Sequence, residues 1–216
     1  MKQLIAVFIS FLLGCTSLES KSPQIRNTDV NGPYHKVLFP FNDSSWYISV
    51  SVFDTVLSGW QVRSNAIISY MHKKAKVADT LFFDSVLVRN SKYYDEPFII
   101  FREDVNLDKQ EDILISGGYD GKMNIGYHLY LVDTGAKSVS KVEGFEAIGN
   151  PQVDSITGLI SSYVMSARLM CNFYTFNKAN KLVKLSVSKE IDPLDTVQAY
   201  QLEIQAAEEL KLLRLK

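Results

Sequence analysis

The chain has 216 residues, room for one domain of ordinary size. Lys and Arg total 23 against 24 Asp and Glu, a formal net charge of -1, and that balance argues against a dedicated nucleic-acid binder. A hydrophobic content of 46% excludes a disordered chain, and the two cysteines, Cys15 and Cys171, exclude a disulfide scaffold.

In chain order, the first feature is an apolar run over residues 4–14 behind Lys2, the only charged side chain before Glu19. A membrane-spanning helix needs about 20 apolar residues, so the run is too short to cross and reads as an export signal. It ends Leu12-Leu13-Gly14-Cys15, which resembles the lipobox of bacterial lipoproteins, where a signal peptidase cuts before a cysteine that is then acylated. The resemblance implies a signal peptide over 1–14 and lipid on Cys15. Acyl chains anchor through ~0.8 kcal/mol per buried CH₂, so the bacterial membrane is the first expected partner. Residues 15–32 are polar and aperiodic and read as a tether to a domain over 33–216. By resemblance to enterobacterial lipoprotein sorting, Thr16 rather than Asp after the cysteine implies the outer membrane, with the domain facing the periplasm or exposed at the surface.

The body reads as strands. Trp46, Ile48, Val50 and Val52 alternate with Tyr47, Ser49 and Ser51; Val183, Leu185 and Val187 alternate with polar residues. Short apolar runs over 81–88, 98–101, 113–115 and 127–132 have strand length, and Gly, Asn and Asp clusters separate them. The pattern predicts a mainly β fold, one antiparallel sheet system of about nine or ten strands, with no internal repeat evident. Residues 59–76 fit a strand pair or a helix. Residues 196–213 contain the helix formers Gln205-Ala-Ala-Glu-Glu-Leu210 and lean towards a C-terminal helix.

Between two of these strands lies Asp104-Val-Asn-Leu-Asp-Lys-Gln-Glu-Asp112. Calcium takes six to eight oxygen ligands, and a loop coiling round it turns alternate side chains inward. Asp104, Asn106, Asp108 and Asp112 stand at positions one, three, five and nine, with the main-chain carbonyl of Gln110 at position seven. Position six ordinarily carries Gly because the turn needs positive φ; here it is Lys109. The competing reading is a solvated acidic turn between strands.

The same stretch carries two family resemblances. The nine-residue loop resembles the FG-GAP calcium loops of integrin-type propellers. The wider order, from this loop through Tyr127-His-Leu-Tyr-Leu-Val-Asp133, Gly149-Asn150-Pro151, Ile160-Ser161-Ser162-Tyr163 and Tyr174-Thr-Phe-Asn-Lys-Ala-Asn-Lys-Leu182, resembles periplasmic calcium-loop lipoproteins related to lysozyme inhibitors and to immunity proteins against secreted effectors. Such proteins insert a loop into the catalytic cleft of a lysozyme-like enzyme. The resemblance covers roughly residues 97–190 and implies a muramidase-type protein partner, structural calcium, and inhibitory contacts from Ser162, Tyr163, Ser166 and Arg168. The Ser-Gly-x-x-Tyr signature of some lysozyme inhibitors is absent.

Signs of an enzyme are lacking. The three histidines, His35, His72 and His128, lack metal-binding spacing, Cys171 has no CxxC partner and reads as a core thiol, and neither GxSxG nor a phosphate-binding glycine loop occurs. The expectation is a non-enzymatic lipoprotein that inhibits a peptidoglycan-cleaving enzyme. The rival expectation is an outer-membrane or surface lipoprotein whose calcium-stabilised β domain binds glycan or a protein.

Overall fold

The computed structural model describes residues 35–41, 44–54, 61–74, 80–89, 100–119, 122 and 124–215. Lys2 and Cys15, with the expected export signal and tether, lie outside the described residues.

The chain is mainly β, as the alternation predicts. Strands β1 (His35–Leu38), β2 (Trp46–Asp54), β3 (Gln61–His72) and β4 (Thr80–Arg89) form one sheet. A second holds β5 (Ile100–Glu103), β6 (Asp112–Tyr119), β7 (Ile125–Asp133) and β8 (Ser138–Lys141). The third holds β9 (Pro151–Asp154), β10 (Leu159–Met165), β11 (Leu169–Phe176) and β12 (Leu182–Ile191), and helix α1 (Thr196–Arg214) follows it. Every described pairing is antiparallel, and each sheet is a meander of consecutive strands.

Two expectations are refined. The ambiguous stretch over 59–76 carries one strand, β3, rather than a strand pair or a helix. The single sheet system is three sheets, because the chain leaves each sheet after its fourth strand. After β8 it does so through Gly144, at φ 83, and a 3-10 turn over Phe145–Ala147. A recurrence accompanies this. Tyr130, Asp133 and Lys137 around the β7–β8 turn have counterparts in Tyr174, Asn177 and Lys181 around the β11–β12 turn at one constant spacing.

The sheets stack face to face with a core in each gap. Ile48, Val50, Ile68 and Val86 of the first sheet meet Ile113, Ile115, Tyr130 and Val132 of the second. Leu114, Leu129 and Leu131, on the opposite face, meet Ile160 of the third, with Phe145 and Ile148 filling between. Cys171, Phe173 and Leu185 then meet Leu202, Ala206 and Leu210 of α1. Period two in the strands and the i, i+4, i+8 spacing in the helix produce this layering. The α1 N-terminus is capped by Asp195, whose carboxylate accepts the Gln198 amide at 2.9 Å.

The meanders share an orientation. The β5–β6 loop, the β7–β8 turn, the β9–β10 turn and the β11–β12 turn lie at one end of the stack. There the guanidinium of Arg102 donates to the Phe39 carbonyl, and a Cβ on Gly158 would sit 2.9 Å from Leu107 Cδ1 and 3.1 Å from Arg214 Nη2. The β10–β11 turn lies at the other end.

Candidate functional site

The acidic loop runs between β5 and β6, where the sequence places it. Lys109 has φ 70 and Leu107 φ 62, so the backbone adopts the left-handed turn that position six requires, without a glycine. Such conformations cost roughly 1–2 kcal/mol per non-glycine residue, and local bonds offset this. The Asp108 amide donates to Asp104 Oδ1 at 3.0 Å and Asn106 Oδ1 at 3.2 Å, and the Lys109 amide to Asp104 Oδ2 at 2.9 Å. Asp108 Oδ1 accepts the Gln110 amide at 2.9 Å, while the Gln110 side chain accepts the Thr134 amide. The oxygens of Asp104, Asn106 and Asp108 are thus engaged by the loop's own amides, among them the Asn106 side-chain amide, which donates to Asp108 Oδ2 at 3.0 Å.

Asp112 stands apart. It is fully buried, taking the Val105 amide at 3.1 Å and the Val132 amide at 3.0 Å, and so staples the loop to β7. Burial pushes its carboxyl up to about 7 against the pull of those two amides. Among the described residues, no three His, Cys, Asp or Glu side chains converge as a preformed metal cage.

The opposite end holds the other predicted residues, on the β10–β11 hairpin. Its residues divide into a buried root and an exposed tip. Ser162 is 1% exposed and its hydroxyl donates to the Gly149 carbonyl at 2.7 Å. The Tyr163 phenol donates to Glu203 of α1, and desolvation raises its ionisation well above the ordinary value. Both are committed to the fold. Ser166 closes the turn through its hydroxyl bond to the Arg168 carbonyl at 2.7 Å, and Arg168 stands exposed with its Nε 3.6 Å from Glu190. An exposed pair of this kind contributes at most ~1 kcal/mol, so the guanidinium is readily redirected to another carboxylate.

Two asparagines outside the predicted site residues hold this tip. Asn124 accepts the Met165 amide at 2.7 Å and donates to the Met165 carbonyl at 2.9 Å, imitating a strand partner. Asn150, at φ 49, donates to Asn124 Oδ1 at 2.9 Å and to the Tyr163 carbonyl at 3.0 Å, and accepts the Ile125 amide at 2.8 Å. The hairpin is therefore bolted to the start of β7 directly beneath its exposed residues.

Cys171 is buried in β11, and desolvation raises its thiol, as suits a core residue rather than a nucleophile. Between the first two sheets, Asp84 receives the Tyr130 phenol at 2.5 Å and the Lys141 ammonium at 2.5 Å, with His128 Nδ1 at 3.5 Å. Desolvation and the Asp84 carboxylate raise the Tyr130 phenol far above its usual range.

Comparison with family models, curated proteins and solved structures gives no match.

Proposed function

We propose that this chain is a membrane-tethered periplasmic binding protein that inhibits a peptidoglycan-cleaving, lysozyme-like enzyme through the β10–β11 tip. The observation that carries the reading is the braced hairpin. A segment presenting Met165, Ser166 and Arg168 is held by the Asn124 and Asn150 side chains rather than left to flex. Preorganisation of this kind lowers the entropic cost of binding. Muramidases depend on a pair of carboxyl groups in the cleft, one of them a general acid. A guanidinium entering that cleft forms a charge-assisted bond with a carboxylate and blocks access to substrate. Acylated Cys15 would hold the inhibitor at the membrane, and calcium on Asp104, Asn106, Asp108 and the Gln110 carbonyl would clip the other end.

The test is inhibition of peptidoglycan lysis by a panel of lysozyme-type muramidases. Stoichiometric inhibition is expected for at least one, weakened at least tenfold by Arg168→Glu, about 1.4 kcal/mol or more. Absence of inhibition at excess across the panel overturns the reading. For calcium, a concentration a hundred times Kd adds about 2.7 kcal/mol of stability. An identical melting temperature in chelator and in millimolar calcium removes the ion from it.

A further inference from the structure

The outer edge of β8 lies beside no other strand among the described residues. Val142 donates its amide to the Leu129 carbonyl at 2.9 Å, and Ser140 faces Leu131 while Ser138 faces Asp133. Bonded and non-bonded pairs alternate along an antiparallel ladder. The N–H and C=O groups of Val139 and Lys141 therefore point away from β7. Among the described residues β8 pairs with β7 alone, so this edge is open.

The corresponding strand of the third sheet is treated differently. Glu209 of α1 accepts the Ser186 amide at 2.9 and 3.0 Å and its hydroxyl at 2.7 Å, so part of the β12 edge is covered. Open edges are templates for strand addition, and proteins ordinarily blunt them.

Beside β8 lies a groove of about 540 Å³, walled on the far side by the β11–β12 turn. Its acidic lining is Asp108, Asp133 and Glu143. Among the described lining residues, Lys141 has its ammonium engaged by Asp84 at 2.5 Å, which leaves Lys181 against Asp133 and Glu143, with Asp108 tied into the acidic loop. Among the described residues no aromatic side chain lines it to stack on a sugar ring. The four residues of β8 span roughly 13 Å, the reach of a short extended peptide.

We propose that β8 accepts an extended, Lys- or Arg-bearing segment of a protein partner as a fifth strand of the second sheet, its cationic side chains lying in the acidic groove. Main-chain bonds to Val139 and Lys141 supply the docking, and Asp133 and Glu143 select the charge. This edge shares no residue with the β10–β11 tip, so either assignment stands if the other falls.

The test uses the full chain, isotope-labelled, with three probes: a pentapeptide alternating Thr and Lys, its counterpart with Glu for Lys, and a tetrasaccharide of N-acetylglucosamine. The Lys peptide is expected to slow amide exchange at Val139 and Lys141 and to bind at least tenfold more tightly than the Glu peptide. Glu143→Lys, on the exposed surface, should weaken it several-fold. Val139→Pro, which deletes an outward N–H and leaves the β7 ladder intact, should abolish it. Arg168→Glu should leave it unchanged. Unprotected amides at millimolar Lys peptide overturn the proposal, as do equal affinities for the two peptides or preferential binding of the tetrasaccharide.

Discussion

β8 and β12 are the fourth strands of consecutive sheets, yet their surroundings diverge. β12 has ten residues, lies under α1, and has a glutamate on its outward Ser186 amide. β8 has four residues, is fixed from its inner face by the Lys141–Asp84 pair, and turns its outer edge to a polar groove. The fourth strand is thus covered in one sheet by a helix, and in the other is short and, among the described residues, open. Edge length and neighbouring charge, rather than strand propensity, distinguish the two edges.

The largest expected effect concerns the inner anchor of β8. Asp84→Ala strands the Lys141 ammonium and removes the acceptor of the Tyr130 phenol. It should cost about 3–5 kcal/mol, read as a lower urea midpoint. Replacing both partners, Asp84→Leu with Lys141→Met, should recover much of that loss; no recovery would mean that the pair does not fix β8. Next comes the cover over β12. Leu210→Ala removes a side chain that is 3% exposed at the α1 interface. The cost should be roughly 2–3 kcal/mol, with faster amide exchange in β12 and little change in β8. Gly158→Ala should cost ~1–2 kcal/mol, because φ is +66 there and the new methyl meets Leu107 under the acidic loop. The smallest effect is Glu209→Ala, ~1 kcal/mol or less, which reopens the β12 edge and should speed exchange of the Ser186 amide. The Ser186 amide holds the Glu209 carboxyl below its ordinary value of 4.5. Its contribution is therefore complete above about pH 4.5 and lost as pH falls through the lower folded value. A wild-type midpoint that falls below pH 4.5, and a Glu209→Ala midpoint that falls less, would confirm the cap.

Much of this is written locally. Period two over Trp46–Val52 marks β2, and helix formers over 205–210 mark α1. The oxygen spacing from Asp104 to Asp112 foretells a loop between strands and the positive φ at Lys109, although not the one at Leu107. The division into three sheets is less accessible, since strand patterns look alike whichever sheet they join. Alternation along β10 was itself a signal that Ser162 and Tyr163 face opposite sides. The partners that consume them, Gly149 and Glu203, lie far away in sequence, as does Asn124 from the tip it holds. The groove has walls from three separate segments, so no window of sequence displays it.

The layered cores carry a dynamic consequence. The first core joins the first and second sheets, the second joins the second and third, and the last joins the third to α1. Stability in such an array accumulates through nearest neighbours. An outer layer can open by parting from one neighbour, whereas releasing the second sheet breaks two contacts at once. Slow-exchanging amides should therefore concentrate in β6 and β7, and partial opening should start from the first sheet or from α1. The acidic loop and the β8 edge both ride on the middle layer, so either surface would keep its shape while the flanks of the protein breathe.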